Sequence, residues 1–94
     1  MGIKSRITIE NVDMATANEE YYYALPAKTK KYKIRLRNVG YPLKLAIVEG
    51  DSPTTYVNIA QGKSHEEDDV RTPNITLYFQ TTANTQVAEI ISFI

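Results

Sequence analysis

The sequence predicts an all-β protein: a single domain over residues 1–94, built as a small antiparallel β-sandwich or jelly-roll-like barrel of about seven strands. Three observations carry this expectation. Apolar and polar residues alternate with a period of two in several separate stretches. Strand starts recur about every 9–12 residues, with Pro or Gly between them. No window of helical length shows a 3.6-residue period.

The first strand is expected from residue 3 to about residue 10, where Ile3, Ile7 and Ile9 share one parity and Lys4, Arg6, Thr8 and Glu10 the other. Asp13 to Glu20 has the composition for one short helical turn, with Asp13 as its cap. Tyr21-Tyr22-Tyr23-Ala24-Leu25 reads as the second strand and stops at Pro26, which lacks the donor a central ladder needs. The third contains the run KKYKIRLRN, Lys30 to Asn38, in which Tyr32, Ile34 and Leu36 face one way and Lys31, Lys33, Arg35 and Arg37 the other. Further strands are expected over residues 43–49, 55–60, 74–81 and 86–94. Gly40-Tyr41-Pro42, Gly50-Asp51-Ser52-Pro53, Gln61-Gly62-Lys63 and Thr72-Pro73-Asn74 punctuate them. Shared alternation assigns Ile7, Ile9, Ile34, Leu36, Leu45, Ile47, Leu77, Phe79 and Ile91 to the core.

A chain of 94 residues buries roughly 60–65% of its unfolded surface, so its core is thin. With no cysteine there is neither a disulfide nor a thiolate zinc site to reinforce it, and association with other subunits is the expected remedy. No charged-then-apolar leader opens the sequence and no apolar run reaches a membrane-spanning length, so synthesis in a cytosol and no membrane partner are expected. Asn74-Ile75-Thr76 fits the N-glycosylation pattern, and we read it as coincidence.

The net charge is zero but unevenly placed. Residues 1–50 hold nine Lys/Arg against five Asp/Glu, a balance of +4, and residues 51–94 hold two against six, a balance of −4. A nucleic-acid binder ordinarily carries an overall basic surplus, and stacking platforms present aromatics outward, whereas Tyr32 shares the parity of Ile34 and Leu36. Lys31, Lys33, Arg35 and Arg37 are therefore read first as a solvated strand face, then as a docking face for an acidic protein surface, and only third as a nucleic-acid platform.

The acidic run Glu66, Glu67, Asp68 and Asp69, preceded by His65, lacks the spacing of a calcium loop and is read as a solvated edge, with no metal assigned. His65 is the lone histidine, and no nucleophile elbow, zinc-protease motif or phosphate loop occurs, so neither catalysis nor a cofactor is expected. Tyr21, Tyr22 and Tyr23 alternate across a strand, so at least one ring faces away from the core. The segment from Gln86 to Ile94 is apolar on both parities, with Val87, Ile91 and Phe93 on one side and Ala88, Ile90 and Ile94 on the other. Such a strand needs cover on both faces, supplied by its own fold or by a second subunit. Tyr21, Tyr22, Tyr23, Ile90 and Ile94 are accordingly the candidates for self-association.

Residues 54–94 contain the run TYVNIAQGKSHEEDDVRTPNITLYFQTTANTQVAEIISFI. Its order of apolar strand, Ala-x-Gly turn, acidic step, LYF strand and closing apolar strand resembles the small structural proteins of tailed-bacteriophage virions, most of all capsid decoration (cement) proteins. The resemblance is one of layout and does not extend to residues 1–53. It implies a compact, oligomeric β-sandwich that binds the outside of a capsid lattice and strengthens it, with no catalytic residues and a place on the virion surface after assembly in the host cytoplasm. Tail, collar or fibre-base roles, and a carbohydrate- or nucleic-acid-binding module, are the alternatives.

Overall fold

The computed structural model describes residues 7–71 and 74–94. Its eight strands are β1 (Ile7–Met14), β2 (Tyr21–Ala24), β3 (Lys31–Leu36), β4 (Leu43–Ala46), β5 (Val57–Ile59), β6 (Ser64–Glu67), β7 (Thr76–Thr81) and β8 (Gln86–Phe93). They form two four-stranded antiparallel sheets, β1-β8-β3-β6 and β2-β7-β4-β5. The all-β class is as expected. The number of strands is eight, because Ser64–Glu67, read from sequence as an acidic step, pairs along β3.

One reversal organises the chain. Ile7 pairs with Phe93, Tyr21 with Phe79, Tyr32 with Glu67 and Leu43 with Ile59, so each pair straddles Gly50 almost symmetrically. Gly50 has φ +86°, a left-handed conformation that glycine adopts without a Cβ clash. The chain is thus a long antiparallel hairpin rolled over on itself until β8 meets β3 and β7 meets β4, which is the winding of a jelly roll.

Between the sheets lies one core of Met14, Leu25, Tyr32, Ile34, Leu36, Leu43, Leu45, Ile59, Leu77, Phe79, Ala88 and Ile90. Ile34, Leu36, Leu45, Leu77 and Phe79 are buried as their alternation predicts. Burial pushes the Tyr32 phenol up to about 12, with the nearby Glu67 charge adding to it. Ile7 and Ile9 are corrections: they are 61% and 66% exposed. A period of two reveals that a strand has two faces but not which one is inside. In β1 the choice is made at its far end, where Met14 is buried and Val12 packs against the core, so the even parity turns inward and both isoleucines outward. Ile47 is a second correction, 52% exposed, because β4 ends at Ala46 and the chain is already bending towards Gly50. Ile91, also assigned to the core, lies half-buried on the outer parity of β8.

Asp13 to Glu20 forms no helix. Asp13 belongs to β1, and the connection that follows is a turn held across the molecule by Asn18 N–H to the Thr81 carbonyl (2.7 Å) and Ala17 N–H to Asn84 Oδ1 (2.7 Å). These bonds satisfy the backbone donors that a helical turn would otherwise have used. Residues 3–6 of the first expected strand, and Thr72 and Pro73 of the expected turn, lie outside the described residues. Among the described residues no helix is long and apolar enough to cross a membrane.

Ser92 faces inward on β8, fully buried, and its hydroxyl has no hydrogen-bond partner among the described residues. An unpaired buried donor carries its desolvation cost with nothing in return. Ser92→Ala should therefore stabilise the protein by about 1 kcal/mol, visible as a rise of roughly 5 °C in the thermal midpoint. A lowered midpoint would mean that the hydroxyl is bonded in solution.

Candidate protein-interaction face

The outward face of β1-β8-β3-β6 brings most of the residues of interest together, and the register sets them in rows. In the first row Ile7 lies beside Phe93 and Phe93 beside Lys31. The second runs Ile9, Ile91, Lys33, Glu66. The third runs Asn11, Glu89, Arg35, Ser64. β1 and β8 thus supply an apolar patch of Ile7, Ile9, Ile91 and Phe93, and β3 supplies a bordering column of cations.

The cations are not bare. Glu89 accepts from Arg35 Nε at 2.8 Å through one oxygen and from Arg37 Nε at 2.7 Å through the other, and these two bonds hold its carboxyl below the usual range. Lys31 Nζ lies 3.3 Å from Glu66 and 3.5 Å from Asp68, and the hydrogen bond it donates to Glu66, with that residue's charge, raises its pKa. The same ammonium sits 5.3 Å from the centre of the Phe93 ring, a cation–π contact that closes the first row. Four cations therefore share the face with Glu66, Asp68 and Glu89, and Lys33 alone among the four has no carboxylate within salt-bridge distance among the described residues. The acidic run extends as an edge: His65 and Glu67 turn together to the other side, 3.5 Å apart, while Asp69 pairs with Arg71. Among the described residues no group of three or more His, Cys, Asp or Glu side chains could hold a metal ion.

The tyrosines divide. Tyr21 and Tyr23 turn inward and pack against the core, and Tyr21 Oη accepts from Thr16 N–H at 3.0 Å. Tyr22 projects from the opposite sheet, 68% exposed, its ring 6.3 Å from that of Tyr78. Ile90, proposed from sequence as a self-association residue, is fully buried in the core, so no second molecule can reach it. β8 is a central strand whose backbone is paired on both sides, by β1 and β3, and Ile94 lies just beyond it, half-buried. The side chains of β8 available to a partner are those of the other parity, Ile91 and Phe93. The sequence signal for them was the doubly apolar pattern of Gln86 to Ile94, but the isoleucines of β1 that complete the patch were hidden by their assignment to the core.

No family model matches the chain, and no curated protein matches it. Among solved structures it is similar to one described as the solution NMR structure of a de novo designed double-stranded beta-helix, at 17% sequence identity and a TM-score of 0.55, over 95% of this chain and 99% of that one. The likeness concerns the fold alone.

Proposed function

We propose that this protein is a non-enzymatic structural component of a virus particle, a decoration protein that seats the β1-β8-β3-β6 face on the outside of a capsid lattice. The observation that carries the reading is the outward apolar patch in which Ile7 and Ile9 are exposed and Ile91 and Phe93 half-buried, bordered by ion-paired charges. An apolar centre with a polar rim is the anatomy of a protein-docking surface. The virion layout of residues 54–94 supplies the kind of partner, and jelly rolls are frequent in capsid proteins, an association that raises the prior without assigning a role. The paired cations weigh against a nucleic-acid reading, since a phosphate backbone would meet Glu66, Asp68 and Glu89 among them. Lys33 gives the face its uncompensated positive charge, which suits an acidic capsid surface and would act mainly on association rate and orientation.

Mass spectrometry of gradient-purified particles should find the chain in them, and recombinant protein should rebind particles stripped of it. Ile91→Ser with Phe93→Ser should abolish rebinding, whereas Lys33→Glu should slow it while preserving the fold. Absence from purified particles, or undiminished rebinding by the double serine variant, would remove the proposal. Glycan binding by the wild type that is lost in Tyr22→Ala would point instead to a carbohydrate module on the opposite sheet, where Tyr22 and Tyr78 lie side by side.

A further inference from the structure

The two sheets present four edge strands, and three are defended in the ways natural sheets use. β5 has three residues, β2 has four, and β6 has four with His65, Glu66 and Glu67 among them. β1 is different. It is eight residues long, pairs residue for residue with β8 along its whole length without a bulge, and contains no Pro, Gly, Lys or Arg. Among the described residues its backbone has strand partners only in β8, so the opposite edge is an open ladder of donors and acceptors. The two largest exposed side chains of the strand, Ile7 and Ile9, stand beside that edge. A long regular edge with apolar neighbours is a template for another strand.

We propose that this edge is a dimer interface: β1 of one copy pairs antiparallel with β1 of a second copy, with Ile9 opposite Ile9 across a two-fold axis. A strand that pairs with itself must do so antiparallel about a central residue, because a two-fold interface is isologous. The charges on β1 and the length of strand that pairs choose the centre, since centring on Thr8 sets Ile7 against Ile9 but pairs only three residues of β1. Centring on Glu10 sets two carboxylates against each other, and centring on Asn11 sets Ile9 against Asp13. Centring on Val12 sets Ile9 against Ala15 and Ile7 against Ala17, both beyond the end of β1. Centring on Ile9 places Thr8 opposite Glu10 and Ile7 opposite Asn11, and keeps every carboxylate away from its mate. It also continues a row already present in the monomer, since Ile9 lies beside Ile91: the dimer has four isoleucines side by side across two molecules. Both outer faces then join into one eight-stranded surface. The inference thus supplies the oligomer that the proposed capsid role calls for, yet it is measured on the purified protein alone, so failure of dimerisation and failure of lattice binding are separate results.

The absence of cysteine makes the register directly testable. Directly opposed residues in an antiparallel pair have Cα atoms about 4.5–5.5 Å apart, within the span of a disulfide. Under mild oxidation Ile9→Cys should form a covalent dimer. Ile7→Cys and Asn11→Cys should each remain uncross-linked alone and cross-link when mixed. Thr8→Glu sets a like charge opposite Glu10 twice over and should weaken the dimer roughly tenfold by analytical ultracentrifugation, and Thr8→Lys should tighten it by a similar factor. Wild-type protein that sediments as a monomer at millimolar concentration overturns the proposal. So does equal cross-linking of all three cysteine variants, or equal weakening by both Thr8 substitutions. All three cysteine positions are exposed, so the cross-linking readout does not depend on a change in the core.

Discussion

Replacing Ile34 by Asp should abolish cooperative folding. Ile34 is fully buried on β3, paired with Ile90 of β8 on one side and His65 of β6 on the other. Among the described residues no lysine or arginine points to that position, because Lys33 and Arg35 project from the opposite face of the strand, and His65, which shares the inner side, already lies 3.5 Å from Glu67. An unpaired carboxylate there costs several kcal/mol whether it stays ionised or takes up a proton, and the lost isoleucine adds its transfer and cavity terms. Against a total stability of about 5–15 kcal/mol, thinner than usual for so small a core, the combined loss leaves no folded majority. Circular dichroism should show loss of the β spectrum at 25 °C, while Ile34→Val should retain a sharp transition at a cost of about 1 kcal/mol. A folded Ile34→Asp protein within 1 kcal/mol of wild type would show that the core is not where the strand register puts it.

The second large effect belongs to Glu20, a residue that no motif singles out. Its carboxylate ties down the reversal on which the winding turns: one oxygen accepts from Gly50 N–H at 2.8 Å, the other from Ser52 N–H at 3.1 Å and Ser52 Oγ at 2.5 Å. Ser52 is fully buried and also meets Gln80 Oε1 at 3.0 Å. A serine hydroxyl has one proton, which goes to Glu20, so Gln80 satisfies the contact by turning its amide and donating to Ser52. Glu20→Ala takes the acceptor from the Gly50 and Ser52 N–H groups and leaves the Ser52 hydroxyl only Gln80, and should cost about 2 kcal/mol. Glu20→Gln should recover only part of this, because an amide nitrogen facing Gly50 N–H sets donor against donor.

Partial burial raises the Glu20 pKa, but the Ser52 hydroxyl and the Gly50 and Ser52 N–H groups outweigh it, and the net shift is downward from 4.5. A depressed native pKa means that the unfolded chain takes up the proton first on acidification. The stabilisation is therefore complete above pH 4.5 and drains away as pH falls through the lower native value. Glu89, held down by Arg37 and Arg35, acts with the same sign. The difference in urea midpoint between wild type and Glu20→Ala should accordingly be constant near neutrality and shrink below pH 4.5. A difference that grows on acidification would exclude the carboxylate as the cause.

The alternation in KKYKIRLRN was enough to place β3, because three apolar residues at one parity against four cations at the other leave a single way to bury the strand. The same holds for Leu77 and Phe79 of β7. β6 was not legible, since Ser-His-Glu-Glu has neither β propensity nor an apolar parity; it is a strand because β3 offers it a ladder and Lys31 offers its carboxylates a partner. Ile7 and Ile9 show the limit most clearly. Their alternation was read correctly and their direction was not, because local sequence cannot distinguish an inward apolar face from an outward one.

By itself, then, the sequence determined the class, the approximate positions of seven of the strands and the turn segments between them, Gly50-Asp51-Ser52-Pro53 included, all of which depend on side-chain parity and turn chemistry within a few residues. Only the tertiary structure decided which strands lie at edges, which parity of β1 and β8 is outside, and that the cations of β3 find carboxylates 52 and 54 residues further along the chain. Those outcomes depend on which strand rolls against which. That pairing is set by how the long hairpin closes, a competition among contacts distant in sequence that no local pattern encodes.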